Sequence, residues 1–227
     1  MQRDTLNQNF DIIYIRCYES RKQYNSSTMT FYQIILPIFT LVYLLQVFVI
    51  QSWVQWKKTG IKPYVFGNTD SPHDYCGRIY KLMIIGTWVS IAFYSFFQAQ
   101  YKFLLPFWYL EIDWLQHLGF GLAIASFIWI IIAQNQMAKS WRIGINYQEK
   151  TELKKEGLFK VSRNPIFLGV LISYIGTFLI VPNALSFVIM LLTFVVLQIQ
   201  VRLEEEYLKK IHGDSYAEYT KTVRRWI

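Results

Sequence analysis

The sequence predicts an all-α, multi-spanning membrane protein with about five transmembrane helices, a C-terminal helical hairpin and a short cytoplasmic C-terminal helix. Three observations support this fold class. Residues of the hydrophobic set make up 53% of the chain and charged residues only 17%, against roughly 25% charged in typical globular domains. Long intervals contain no Asp, Glu, Lys or Arg. The longest of these intervals is divided near its centre by a Pro-Asn pair, which favours a turn.

Three charge-free intervals in the N-terminal half each predict one transmembrane helix. A charge at the bilayer centre costs about 2.5–3.5 kcal/mol, so such intervals mark the spans. The apolar stretches are Phe31–Val54, Leu82–Tyr101 and Trp114–Ala138. Each is long enough to cross a hydrocarbon core of roughly 30 Å at about 1.5 Å per residue. We therefore divide this half into a polar N-terminal extension, residues 1–28, and three membrane spans within residues 29–138.

The interval between Arg163 and Arg202 is too long for one helix and long enough for two. Pro182-Asn183 lies at its centre, and both residue types favour turns. The interval therefore predicts a tight helical hairpin with arms at Pro165–Val181 and Ala184–Val201. Pro165 suits the first turn of the first arm, where its missing N–H would have no helical acceptor.

The positions of the basic residues predict the orientation of the chain in the membrane. Lys and Arg concentrate in residues 55–81, 139–163 and 202–227. Because loops facing the cytoplasm carry an excess of these residues, the C-terminal tail is predicted to be cytoplasmic. The formal net charge of +8 does not indicate nucleic-acid binding, since no basic stretch forms a module apart from the spans. The two cysteines, Cys17 and Cys76, match no metal-ligand spacing, and we predict no metal site.

The segment after the last predicted span has a different character. Residues 202–221 are charged and helix-prone, and Gly213-Asp214 is a stop signal for a helix. Tyr216, Tyr219 and Trp226 follow and are predicted to be aromatic anchors at the membrane interface.

The two open ends of the predicted hairpin bring opposite charges to the same membrane face. The first arm begins at Arg163-Asn164-Pro165, where free backbone N–H groups and the positive end of a helix dipole favour an anion. The second arm ends at Glu204-Glu205. A zwitterion such as an amino acid would find a partner there for each of its charges. The alternative interpretation is that these Arg and Glu residues mark the interface and pair with each other.

Residues 139–227 resemble the C-terminal part of the isoprenylcysteine carboxyl methyltransferase and phospholipid methyltransferase superfamily. That family has an Arg-His-Pro-x-Tyr-x-Gly opening, a hairpin, and Glu-Glu followed by Gly-x-x-Tyr-x-x-Tyr. The matching residues here are Ser140-Trp141-Arg142-Ile143-Gly144-Ile145, Gly157-Leu158-Phe159, Arg163-Asn164-Pro165-Ile166-Phe167-Leu168-Gly169, Arg202, Glu204-Glu205, Leu208, Gly213, Tyr216, Tyr219 and Arg224. Asn164 replaces the usual His and Phe167 a frequent Tyr. An asparagine still donates and accepts hydrogen bonds but does not shuttle a proton.

The resemblance implies S-adenosylmethionine as cofactor, bound by residues of the region 139–227. Arg163 and Asn164 would contact the methionine part of the cofactor, and Glu205, with Glu204, would hold its ammonium group. Pro165 and Gly169 would shape the start of the helix and allow close approach. Arg202 and Arg142 are candidates for positioning the methyl acceptor, and each has an alternative interpretation as a positive charge that marks the cytoplasmic side.

The predicted function is therefore that of an integral membrane methyltransferase dependent on S-adenosylmethionine. Its acceptor would be a lipophilic or small molecule that partitions from the bilayer and carries a carboxylate, thiol or amine. One alternative is an NADPH-dependent membrane reductase of the sterol-reductase type, whose acidic tail motif usually has Arg-Asp where this chain has Glu204-Glu205. Another alternative is a non-enzymatic membrane scaffold of the same fold.

Overall fold

A computed structural model describes residues 26–60, 63–67, 69–137, 141–144 and 152–227 of the chain, with side chains from residue 31 onward. Most of the predicted polar extension, residues 1–28, lies outside the described residues, and helix already begins at Ser26. A π-helix, Leu45–Ile50, continues the first helix into the second. The described α-helices are α1 Ser26–Leu44, α2 Gln51–Thr59, α3 Pro72–Phe96, α4 Gln98–Tyr101, α5 Asp113–Met137, α6 Pro165–Ile180, α7 Ala184–His212 and α8 Asp214–Thr222.

The predicted all-α, multi-pass architecture is confirmed, with one difference in the lengths of the spans. Four helical stretches of the described residues are long and apolar enough to cross a membrane: Phe31–Thr59, Pro72–Phe96, Asp113–Met137 and Ala184–His212. The remaining predicted span is α6, an apolar helix of 16 residues. At about 1.5 Å per residue its length is about 24 Å, less than the roughly 30 Å of a hydrocarbon core. The chain therefore has four long apolar helices and a shorter one.

Several helix boundaries differ from their predicted positions, some of them because the helix extends past the first charged residue. Helix α3 begins at Pro72 rather than Leu82, because Ser71 caps it by accepting a hydrogen bond from the backbone N–H of Asp74 at 3.2 Å. Helix α7 continues to His212 rather than ending near Val201. It stops at Gly213, which has a φ of 51°.

The predicted hairpin is present and its turn is fixed by side-chain capping. Asn183 Oδ1 accepts from the backbone N–H of Ser186 at 2.9 Å, and Ser186 Oγ accepts from the backbone N–H of Asn183 at 3.1 Å. This reciprocal capping box satisfies donors at the start of α7. Asn183 Nδ2 also donates to Ser90 Oγ of α3 at 2.8 Å, which ties the turn to a neighbouring span.

Helix α6 packs closely and antiparallel along α5. A Cβ atom on Gly119 would lie 2.6 Å from the carbonyl oxygen of Gly176, and one on Gly176 would lie 2.6 Å from that of Gly119. Near the start of α6, Trp129 Nε1 donates to the carbonyl of Pro165 at 2.8 Å. At its other end, Gln116 Nε2 donates to the carbonyl of Ile180 at 3.2 Å. Helix α5 therefore positions both ends of α6.

The loops meet in two groups at opposite ends of the helices. At one end, the Phe107 N–H donates to the carbonyl of Pro182 in the hairpin turn at 2.8 Å. At the other end, the Ile143 N–H donates to the carbonyl of Pro63 at 2.9 Å, and the Arg163 N–H donates to the carbonyl of Arg224 at 3.0 Å. The described parts of the three basic segments therefore lie at the same end of the molecule.

The C-terminal tail folds back onto this basic end. Tyr216 and Tyr219 are 3% and 5% exposed and pack with Val223 against Leu208 and Leu153. The Tyr219 hydroxyl donates to the carbonyl of Phe159 at 2.6 Å. The prediction that Tyr216 and Tyr219 are interfacial anchors is therefore wrong. They form the small core that holds α8 beside the hairpin.

Candidate functional site

The two open ends of the hairpin meet, as predicted. Arg163 Nη2 lies 3.1 Å from Glu205 Oε1, and Arg163 Nε donates to the same oxygen at 3.1 Å. Asn164 Nδ2 also donates to Glu205 Oε1 at 3.2 Å. The pairing of Arg and Glu that was the alternative interpretation of this motif is thus present for Glu205. It does not account for Glu204.

The consecutive residues Glu204 and Glu205 lie on different faces of α7. Gln200, Glu204, Tyr207 and Leu208 line a cavity between the helices. Their spacing of four, three and one residues is that of a single face of an α-helix. Glu205 is turned by about 100° from this face at 3.6 residues per turn, and it is not one of the lining residues. Glu204 is therefore the carboxylate that a ligand in the cavity would meet.

The cavity has a volume of about 450 Å³, within the roughly 300–1,000 Å³ of small-molecule sites. Its polar end is lined by four of the predicted site residues and by one predicted acceptor-positioning residue. These are Arg163, Asn164, Pro165, Glu204 and Arg142. Its walls between the helices are largely apolar and aromatic, and they include Phe39, Tyr43, Tyr80, Trp88, Phe167 and Tyr174. The cavity therefore joins a charged end to an apolar interior.

The start of α6 faces the cavity without a side-chain cap. Asn164 precedes the helix, and its side chain makes no capping hydrogen bond. Ile166 and Phe167, in the first turn, line the cavity. Backbone N–H groups in a first turn have no intrahelical acceptor, and the helix dipole places partial positive charge there. This end of the cavity therefore favours an anion.

Two loops cover the polar end of the cavity. Phe66 and Gly144 both line it. His73 stacks on Phe66 with ring centroids 4.4 Å apart, and Gly144, at a φ of 98°, passes so close that an added Cβ would lie 2.8 Å from His73 Nε2. Asp74 fixes the loop that contains Phe66. Its carboxylate accepts hydrogen bonds from the backbone N–H of Gly67 at 2.8 Å and from that of Thr69 at 3.0 Å. The loop conformation is thus set by buried contacts at the start of α3.

Several buried polar atoms that line the cavity lack a hydrogen-bond partner among the described residues. They are the hydroxyl of Tyr80, Oε1 of Gln134 and Oε1 of Gln200. Gln134 and Gln200 are each only 1% exposed. Leaving a buried polar atom unpaired is costly, and three such atoms belong to residues that line this cavity. The sequence analysis missed all three residues, although Gln200 lies one turn before Glu204.

Three predicted site residues lie outside the cavity lining. Glu205 is enclosed by the ion pairs described above. Gly169 faces α5, where an added Cβ would lie 2.5 Å from Ile130 Cγ1, so the close approach that it permits is between helices. Arg202 is exposed, and its Nη1 donates to the carbonyl oxygen of Gln198 at 2.6 Å and to Gln198 Oε1 at 2.7 Å.

The site also includes Arg225, which the sequence analysis did not single out. Its guanidinium donates to Glu205 Oε2 from Nη2 at 2.7 Å and from Nε at 3.0 Å. The carboxylate raises the pKa of Arg225 above its usual range. Nothing in the local sequence distinguishes Arg225 from Arg224, because only the path of the tail decides which of them faces Glu205.

The fold and this cavity define a class: a multi-pass α-helical membrane protein with paired charges where a helical hairpin opens. Residues 114–215 match the family model described as phospholipid methyltransferase. The protein-S-isoprenylcysteine O-methyltransferase B of Arabidopsis thaliana is 33% identical over 84 residues, which are 36% of this chain and 42% of that protein. The chain thus matches less than half the length of that relative.

The match over residues 114–215 confirms the predicted family resemblance. The matched region includes α5, α6 and α7, so it begins one span earlier than the residues on which the resemblance was first noted. These are the helices that hold Arg163 against Glu205 and bring Glu204 into the cavity.

Proposed function

We propose that the chain is an integral membrane methyltransferase that uses S-adenosylmethionine to methylate a lipid-type or other membrane-partitioning acceptor. The observation that supports this most is the cavity lined jointly by Arg163, the first turn of α6 and Glu204, within the region that matches the phospholipid methyltransferase model. A cation and a carboxylate on one cavity suit the two charges of an amino-acid moiety.

The charged and polar groups at this end of the cavity suit the methionine part of S-adenosylmethionine. Arg163 and the first-turn N–H groups of α6 would bind its carboxylate, and Glu204 would bind its ammonium group. Asn164 and Pro165 line the same end of the cavity. In this proposal Glu205 contributes indirectly, by ordering Arg163 and Asn164.

S-adenosylmethionine, when bound, supplies an electrophilic methyl group on a sulfonium. The chain itself needs no nucleophile, and its contribution is to align the acceptor and exclude water. Arg142 lines the cavity and would position the polar group of the acceptor. We assign this role to Arg142 rather than to Arg202, because Arg202 lies at the exposed surface.

The apolar part of the cavity suits the lipophilic portion of an acceptor. Val49, on the π-helical part of the first span, lines the cavity and is 56% exposed. An acceptor that partitions into the bilayer would therefore have access from the side. The reacting group would be a carboxylate, thiol or amine, each of which accepts a methyl group by displacement.

We further propose a topology in which α6 also crosses the membrane, together with α7. The two arms are joined by the capped turn at Asn183, and α6 is held at both ends by α5. The basic segments at the other end of the molecule support a cytoplasmic C-terminal tail. Residues 29–138 would then supply three spans, and residues 139–227 the cofactor-binding region.

A methyl-transfer assay tests the proposal. Detergent-solubilised protein is incubated with S-adenosylmethionine carrying a tritiated methyl group, together with lipid extracts or small thiols. We expect label in an organic-soluble product or a methylated thiol, and much less label with Glu204→Gln. If no acceptor of any class is methylated and NADPH is oxidised instead, the result would contradict the proposal and favour a reductase. The absence of both activities would favour a scaffold.

A further inference from the structure

The Glu205 carboxylate is shared between two guanidinium groups. Oε1 accepts from Arg163 Nε at 3.1 Å, whereas Oε2 accepts from Arg225 Nε at 3.0 Å and from Arg225 Nη2 at 2.7 Å. Glu205 is 9% exposed. An ion pair that is removed from water is strong and geometrically specific, so both arginines are held in place.

The two arginines differ in what else they reach. Arg163 lines the cavity, and its side chain is 11% exposed. Arg225 does not line the cavity, and its side chain is 33% exposed. Glu205 therefore lies between a guanidinium on the cavity side and one on the solvent side. With Glu204, the cluster contains two arginines and two glutamates, of which Arg163 and Glu204 line the cavity.

The backbone of the tail fixes Arg225 independently of its own side chain. The Arg225 carbonyl oxygen accepts from Asn164 Nδ2 at 3.2 Å and from Ser162 Oγ at 3.3 Å. The neighbouring Arg224 carbonyl accepts from the Arg163 N–H at 3.0 Å. The backbone of Arg224 and Arg225 therefore hydrogen-bonds to the residues that immediately precede α6.

We propose that Arg225 is a positioning residue of the cofactor site, which balances Glu205 from the solvent side and so leaves the charge of Arg163 available to a ligand carboxylate. Without Arg225, the Glu205 carboxylate would be balanced by Arg163 alone, so less of the positive charge of Arg163 would be available to an anion in the cavity. This inference rests on the proposed function and deepens it, because it gives the tail a role in recognising the amino-acid part of the cofactor.

The test uses Arg225→Gln and Arg225→Lys in the full-length protein, with S-adenosylhomocysteine and its carboxamide analogue as ligands. The carboxamide lacks only the negative charge. We expect Arg225→Gln to bind S-adenosylhomocysteine about tenfold more weakly, which is the effect of removing one nearby charge in a partly buried site. The same variant should bind the carboxamide with unchanged affinity, and Arg225→Lys should restore most of the binding of S-adenosylhomocysteine.

The possible results separate this inference from the proposed function. Unaltered binding of S-adenosylhomocysteine by Arg225→Gln, with the wild type binding it, would overturn the inference alone. Equal weakening for both ligands would also overturn it, because that pattern indicates a purely structural role. Hydrogen exchange of the amides of residues 214–227 checks that the tail remains folded. A wild type that binds neither ligand would overturn the proposed function and this inference together.

Discussion

Arg163 and Glu205 are 42 residues apart in the sequence, and Arg163 Nε lies 3.1 Å from Glu205 Oε1. This contact closes the hairpin formed by α6 and α7 at its basic end. It also removes Glu205 from direct contact with a ligand, because the enclosed carboxylate is occupied by Arg163, Asn164 and Arg225. The neighbouring Glu204, one step around the helix, lines the cavity instead.

The two glutamates should therefore respond differently to neutralisation. We expect Glu204→Gln to weaken binding of S-adenosylhomocysteine by about 1.5–3 kcal/mol, the range for a hydrogen bond to a charged group, with little change in the melting temperature. Glu205→Gln should instead destabilise the protein, by about 3 kcal/mol, because it leaves the buried Arg163 guanidinium without its carboxylate. Calorimetry and thermal unfolding in detergent measure the two effects. The reverse pattern would contradict the assignment of Glu204 to the ligand.

Tyr219 gives a prediction about pH. Burial raises the pKa of Tyr219 to about 12 from its ordinary value of 10.0. Because folding favours the protonated phenol, its contribution to stability is fully present below pH 10.0 and is lost as the pH rises to about 12. We expect Tyr219→Phe to lower the melting temperature at neutral pH, and the difference from the wild type to shrink across that window. Tyr109→Phe, at a residue that is 54% exposed, is the control. A difference that stays constant across the window would contradict this account.

Gly169 is expected to matter for helix packing. An added Cβ would lie 2.5 Å from Ile130 Cγ1 and 3.2 Å from Trp129 Cδ1, so Gly169→Ala should cost about 1–3 kcal/mol through overpacking. Gly121→Ala is a matched control in α5, since no heavy atom lies within 4 Å of its added Cβ. That change should be neutral or stabilising. Thermal unfolding of both variants checks this, and a Gly169→Ala protein as stable as Gly121→Ala would contradict the packing role.

Substitution of the two arginines that are candidates for positioning the acceptor should have different effects on the KM for the acceptor. Arg142 lines the cavity, whereas Arg202 is exposed and bonded to Gln198. We expect Arg142→Gln to raise the KM for the acceptor about tenfold or more, which corresponds to one lost charged contact. Arg202→Gln should leave the KM near that of the wild type. Equal effects of the two substitutions would show that Arg142 has no special role toward the acceptor.

The features of the fold that the sequence predicts are those that depend on local chemistry. Intervals without charge locate the spans, and Pro182-Asn183 locates the turn, because lipid and helix geometry penalise the alternatives directly. The predicted start of α3 is too late because Ser71 caps the helix at Pro72, and its first turns carry charged residues that were expected to lie outside the helix. Helix α6 ends at Ile180, next to its predicted end at Val181, so the position of the turn also predicts the short length of this arm.

The sequence predicts one feature of the site, which is that the hairpin brings Arg163 and the glutamates of α7 to the same end of the molecule. Distinguishing Glu204 from Glu205 requires the rotation of α7, which the lining positions Gln200, Glu204 and Leu208 reveal once their spacing is considered. The burial of Tyr216 and Tyr219 and the contact of Arg225 depend on how the tail folds back. Such long-range contacts leave no local pattern in the sequence.

Binding of S-adenosylhomocysteine to the purified protein tests the central claim most directly. Calorimetry in detergent should show micromolar or tighter affinity for the wild type and, for Glu204→Gln, an affinity weaker by about tenfold or more. A wild type that gives no heat with either S-adenosylhomocysteine or S-adenosylmethionine would contradict the account. So would a Glu204→Gln protein that binds as tightly as the wild type.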